Sequence, residues 1–366
     1  MEKMITTATK ETHKRLSTYP ENRSFRNRQI IFAIMILGLV ISCKDSDNDD
    51  YEENKVPAAP TNVRAELDSE ESIVKVSWDE VKGVKNYWVY RSDSPYEGFV
   101  QVANNVYDNY WIDTNPLKGG NYYIAYAFRK LEKSEASTVT DVVCVTANEE
   151  HEYVDLGLPS GTLWATCNVG ANLPEERGDH FAWGETNSFE SGKGSCTRST
   201  YKWIEHEWPY IWLTKYNSSP NYGNIVDDKN VLDLVDDAAY VNWGKDWCMP
   251  SKEQFEELLD SNYTIITSYS HPINQGKGYI NGWLIKSKMN GNSIFLPPGG
   301  TINNMTFSLD FTDLGWFWTN YSRVHWDAVS AHMHNYFLVQ LPSLFISFNG
   351  RWDSNSVRPV RRNREK

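Results

Sequence analysis

Ile73-Val74-Lys75-Val76-Ser77-Trp78 alternates apolar and polar side chains, with Val74, Val76 and Trp78 on one face. Two-residue alternation is the pattern of a half-buried strand. Outward from it, Tyr87-Trp88-Val89-Tyr90-Arg91 and Tyr122-Tyr123-Ile124-Ala125-Tyr126-Ala127 are further aromatic and β-branched runs, separated by Asp, Asn, Gly and Pro breaks. Upstream, Val56-Pro57-Ala58-Ala59-Pro60 forms a stiff entry. Strands spaced in this way predict an all-β sandwich of about ninety residues over 56–147.

The same segment resembles fibronectin type III domains in its Pro60-x-x-Val63 entry, Val76-Ser77-Trp78, the gap to Tyr87–Arg91, Gly119-Gly120 before the Tyr-rich strand, and Ser137-Thr138-Val139. The resemblance implies a spacer or protein-binding module, with Trp78 in the core and Tyr122 or Tyr123 as a corner residue. There is no Arg-Gly-Asp tripeptide.

The chain has 366 residues, room for about two domains. Its 36 basic and 48 acidic residues give a net charge of -12. That balance disfavours nucleic acid, whose phosphates require clustered Lys and Arg. Residues 1–42 hold seven of the basic and three of the acidic residues, so 43–366 carries 29 and 45, a net of -16. A basic region is followed by the uncharged run Ile30–Ser42, too short to span a bilayer, which needs about 20 helical residues. This is the form of a secretory signal. Val40-Ile41-Ser42-Cys43 resembles the bacterial lipobox, implying lipidation at Cys43 and a membrane anchor after removal of 1–42. Residues 43–55, with Lys44-Asp45-Ser46-Asp47-Asn48-Asp49-Asp50, predict an acidic tether. Such tethers resemble export signals that carry lipoproteins to the outer face of the outer membrane. Cys144, Cys167, Cys196 and Cys248 remain, open to three disulfide pairings or to buried thiols.

After a short hinge at Asn148-Glu149-Glu150, residues 151–366 hold twelve of the fifteen Trp and little helical periodicity. Ser251-Lys252-Glu253-Gln254 is a capping box, and Phe255, Leu258 and Leu259 form one helical stripe. Strand-like pieces lie at 282–287, 292–297, 315–319, 336–340 and 356–361. The pattern predicts an irregular α+β domain with an aromatic core.

Tyr153–Gly170, Phe181-Ala182-Trp183-Gly184-Glu185-Thr186, Asp236–Gly244, Trp247-x-Met249-Pro250-Ser251, Ile294-Phe295-Leu296-Pro297 and Ser356-Val357-Arg358-Pro359-Val360 closely resemble the Fibrobacter-succinogenes-type major paralogous domain. The helix entry and terminal Ser-Val-Arg also look like the C-type-lectin-like and formylglycine-generating-enzyme architecture. Cys248 stands where the resemblance implies Arg. The fold class is therefore multidomain: a fibronectin type III sandwich followed by an α+β C-type-lectin-like domain.

No chemistry-bearing motif selects an enzyme. No Cys lies after Cys248, against the late cysteine pair of formylglycine-generating enzymes, and no G-x-S-x-G, H-E-x-x-H or P-loop is present. His332 and His334 share a strand face, with His325 nearby, but lack a third ligand. Asp227-Asp228 and Asp236-Asp237 offer oxygens to Ca²⁺, with Asp236 equally suited to cap a helix or turn. Trp203, Trp208, Tyr210, Trp212 and Tyr216, interleaved with Glu205, His206 and Glu207, are the ligand-binding candidates, because exposed rings stack on pyranose C–H faces. Tyr321 and Trp326 also lie outside the family motifs. The expected function is a non-catalytic surface lipoprotein binding glycan or a surface protein. The alternatives are an envelope or fimbrial assembly lipoprotein, or an enzyme on the formylglycine-generating scaffold.

Overall fold

The computed structural model describes residues 56–147, 150–206, 211–273, 278–303, 306–307, 314–324, 326–335 and 342–362. The chain divides into two units, Met1–Asn48 and Asp49–Lys366, and every described residue belongs to the second. The signal region 1–42, the tether 43–55 and Cys43 lie outside the described residues.

The first strands are β1 (Arg64–Asp68), β2 (Ile73–Ser77), β3 (Asn86–Ser92), β4 (Val100–Val106), β5 (Tyr110–Asp113), β6 (Gly119–Arg129), β7 (Glu132–Lys133) and β8 (Val143–Val145). They form two sheets, β1-β2-β5 and β4-β3-β6-β7, with β8 pairing with the start of β6. This strand order is that of a fibronectin type III-like fold. The alternation in 73–78 buries Val74, Val76 and Trp78 against Tyr87, Val89 and Tyr123, with the Trp78 and Tyr87 rings 5.2 Å apart. Of the two corner tyrosines, Tyr123 is the buried one; its hydroxyl donates to Asp113 Oδ2 at 2.9 Å, beside Arg91 at 2.6 Å.

The following strands are β9 (Tyr153–Asp155), β10 (Leu163–Ala165), β11 (His180–Ala182), β12 (Ile204–His206), β13 (Trp212–Leu213), β14 (Trp247–Cys248), β15 (Thr264–Pro272), β16 (Tyr279–Ser287) and β17 (Ser293–Leu296). The last are β18 (Thr301–Asn303), β19 (Thr306–Phe307), β20 (Leu314–Val324), β21 (Asp327–Asn335), β22 (Pro342–Gly350), β23 (Ser354–Ser356) and β24 (Val360–Arg361). Among the described residues two α-helices, α1 (Ala238–Trp243) and α2 (Lys252–Leu259), interrupt them. The region is mostly β: a sheet β19-β18-β23-β20-β21-β22 with β11 on β23, a sheet β14-β24-β10-β9, and a sheet β15-β16-β17. It departs from the expected long-loop α+β layout in its long antiparallel strands β20, β21 and β22. The sequence piece at 336–340 lies outside the described residues.

Two apolar clusters fill this region, one around Trp183, Trp203, Tyr216 and Trp318, the other around Trp164, Phe255, Trp283 and Phe317. The terminal Ser-Val-Arg places Arg358 wholly inside, where its guanidinium donates to Asn168 Oδ1 (2.8 Å), Ala165 O (3.0 Å) and Phe295 O (3.1 Å). Burial lowers its pKa to about 9. Cys144, Cys167 and Cys248 are free thiols, and Cys196 is buried.

The sandwich packs against the second region. Ala147 N–H donates to Val241 O at 3.0 Å, and Lys202 Nζ lies 3.5 Å from Asp93 Oδ2. A Cβ on Gly120 would stand 2.7 Å from Val235 Cγ2. Gly119 and Gly120, quoted above for the fibronectin type III resemblance, therefore also give the second region room to approach.

Candidate ligand-binding pocket

Of the aromatic candidates in 203–216, Trp203 and Tyr216 are buried. Trp203 is buried and donates from Nε1 to Gly184 O at 2.9 Å. Tyr216 is buried with φ +57°, a left-handed turn held by Asp227 Oδ2 accepting its N–H at 2.8 Å. That turn sends the ring inward, where its hydroxyl donates to Asp236 Oδ2 at 2.5 Å and accepts from Asp233 N–H at 3.0 Å. Neither ring therefore offers a face to a ligand. Trp212 is half-buried, 4.7 Å from the His206 ring. Trp208 and Tyr210 lie outside the described residues.

Asp236 and Asp237 are both engaged within the fold. Lys215 Nζ donates to Asp236 Oδ2 at 2.5 Å and lies 2.9 Å from Asp233. Burial would lower the Lys215 pKa, but the charge and hydrogen bond of Asp236, with Asp233, raise it. Asp237 is the N-cap of α1, accepting from Ala239 N–H (2.9 Å), Tyr240 N–H (3.0 Å) and Met249 N–H (2.8 Å). Burial raises its pKa to about 6 against these bonds. Among the described residues no group of three or more His, Cys, Asp or Glu is arranged to hold a metal ion. His332 is buried, its Nε2 2.7 Å from Asn349 Oδ1. The side chains of His325 and His334 lie outside the described residues.

Buried His180 meets the exposed Glu190, Nδ1 to Oε1 at 2.6 Å, but the other ring nitrogen bonds Gly299 O at 2.7 Å and the imidazole is 3% exposed. Both ring nitrogens of His180 are thus engaged within the fold.

The opening that remains is a cavity of about 330 Å³ lined by Glu150, His151, Tyr153, Trp243, Gly244, Lys245, Asp246, Trp247 and Arg361. It lies at the lower end of the size range of small-molecule sites. Pairing of β14 with β24 sets Trp247 opposite Arg361, and α1 delivers Trp243. His151 stacks on Trp243 with centroids 3.7 Å apart and planes 11° apart, while Trp243 and Trp247 meet edge to face at 5.1 Å. Arg361 lies over the Tyr153 ring at 4.8 Å and 3.5 Å from Asp246. Tyr153 is 45% exposed and forms the open aromatic wall. The cavity thus combines the exposed Tyr153 ring and the buried Trp243 and Trp247 rings with two carboxylates and two cations. The sequence reading missed it because Glu150–Tyr153, Trp243–Trp247 and Arg361 are distant in the chain. A second groove of about 360 Å³ between Val154, Pro174, Tyr269, Leu284 and Phe295 is more apolar.

No protein-family model matches the chain, and no curated protein matches it. Among solved structures it is similar to an Fn3-like protein from Clostridium thermocellum, at 25% identity over 26% of this chain and 100% of that one, TM-score 0.23. It is also similar to titin domains A168–A170, at 19% identity over 25% of this chain and 33% of that one, TM-score 0.23. The twitchin kinase region from C. elegans aligns over 65% of this chain and 31% of that one, at 11% identity and TM-score 0.23.

Proposed function

We propose that this chain is a non-catalytic surface lipoprotein, anchored through Cys43, whose sandwich carries a major-paralogous-type, C-type-lectin-like domain that binds carbohydrate. The observation behind this reading is the cavity of Tyr153, Trp243, Trp247 and His151 with Glu150, Lys245, Asp246 and Arg361. The exposed Tyr153 ring suits a pyranose C–H surface, and neighbouring donors and acceptors of both charges suit neutral polyhydroxyl groups. A glycan array probed with the unit Asp49–Lys366 tests it: saturable binding to a glycan, weakened by Tyr153→Ala, supports the reading. Absence of glycan binding, with saturable binding to an envelope protein, favours the assembly role instead. The anchor has a separate test. Cys43→Ala should leave the membrane fraction and lose palmitate labelling; a variant still membrane-bound and unlabelled like its parent contradicts it.

A further inference from the structure

We infer that Lys215 and Asp236 join in a self-formed isopeptide bond, an intramolecular cross-link between the lysine amine and the aspartate carboxyl. Lys215 Nζ lies 2.5 Å from Asp236 Oδ2, which puts it no more than about 3.7 Å from the carboxyl carbon. That is close to the separation of atoms poised to react. The two side chains are 12% and 4% exposed, and the Trp203 and Tyr216 rings lie 5.3 and 4.9 Å from Nζ. Burial among rings lets the amine meet the carboxyl in place of water. The pair shares no residue with the pocket beside Tyr153.

The other parts of an acyl-transfer site surround that carboxyl. Asp233 lies 2.9 Å from Nζ and caps the turn Leu234–Asp236, whose three-residue repeat brings positions 233 and 236 to one side. Tyr216 donates its hydroxyl to the same Asp236 Oδ2 at 2.5 Å, and burial with the Asp236 charge keeps that hydroxyl protonated. Adjacent side chains of an extended chain point apart; the φ of +57° at Tyr216 lets Lys215 and Tyr216 reach one oxygen. A structural ion pair needs neither the second carboxylate at the amine nor the hydroxyl on the accepting oxygen. Together they supply nucleophile, base and oxyanion donor. Burial opposes the Lys215 charge, while Asp236 and Asp233 hold its proton in place. The reaction therefore starts as that proton passes through Asp233 to an Asp236 oxygen, leaving a neutral amine and a neutral acid. Nζ attacks Cγ, and the Tyr216 hydroxyl stabilises the oxyanion. Asp233 takes a second Nζ proton and gives it to the departing hydroxyl. The C–O bond breaks, one water leaves, and the new amide keeps the third proton.

Peptide mapping of the folded full chain by mass spectrometry tests the inference. Trypsin should leave Lys215 uncut and release residues 203–229 joined to 230–245, lighter than the two peptides together by one water. Lys215→Arg keeps a cation and should be cut after residue 215 with no linked species. Asp233→Asn keeps both linked groups but should slow linkage about a hundredfold, read as the linked fraction at intervals after synthesis. Thermal melts confirm that each chain is folded, and the parent map stands alone should a variant not fold. A folded parent that is cut after Lys215 and keeps its full mass overturns the inference. So does linkage of folded Asp233→Asn at the parental rate, or a linked peptide in Lys215→Arg.

Discussion

Lys215 and Asp236 show how charged residues are engaged within the fold. The Lys215 side chain is 12% exposed and that of Asp236 4%, so the pair is buried and each charge depends on the other. Lys215→Met would leave the Asp236 carboxylate with the Tyr216 hydroxyl and no cation; a loss of about 3 kcal/mol in urea unfolding is expected. Asp237 gives a pH signature. Its carboxyl titrates near 4 in an unfolded chain and at about 6 when folded. Between these values the folded state holds the extra proton, so this group's contribution to stability falls as pH rises from 4 to above 6, by up to about 3 kcal/mol. Asp237→Asn lacks that slope, so the stability gap between the parent and the variant should narrow from pH 4 to pH 7. A gap that widens would contradict the assignment.

At the scale of elements, legibility followed local signals. Ser251 and Gln254 form the reciprocal cap that their spacing announces, Ser251 Oγ accepting Gln254 N–H at 3.2 Å and Gln254 Oε1 accepting Ser251 N–H at 2.8 Å. Ser251→Ala should cost about 1 kcal/mol of stability, measured by thermal unfolding, as loss of an N-cap does. Helix α1 was not read because six residues, under two turns, give no periodicity to see. Strand β21 was read only at His332 and His334, for another reason: Ala328–Met333 is buried on both faces, so the alternation that marked β2 is absent. In the 203–216 segment interleaved charges suggest exposure, and the turn at Tyr216 with the Lys215–Asp236 pair carries the Tyr216 ring inward. The pocket was illegible for want of any local pattern; only pairing of β14 with β24 and the placing of α1 assemble it.

For the whole molecule, the sandwich and the mostly β region meet through β6, the Ala147–Val241 bond and the space at Gly120. The short hinge expected at 148–150 joins two regions that touch through Ala147 and Gly120. Residues 56–366 should therefore unfold in one calorimetric transition, and Gly120→Val, whose Cβ meets Val235, should split it in two or lower its midpoint. A variant with an unchanged single transition would contradict the coupling.

The central claim, that the pocket beside Tyr153 receives a sugar, is tested most directly by isothermal titration of the glycan selected on the array into the parent and into Tyr153→Ala. The account predicts saturable one-site binding to the parent and an affinity reduced about tenfold in the variant. Equal affinity in the two proteins would contradict it.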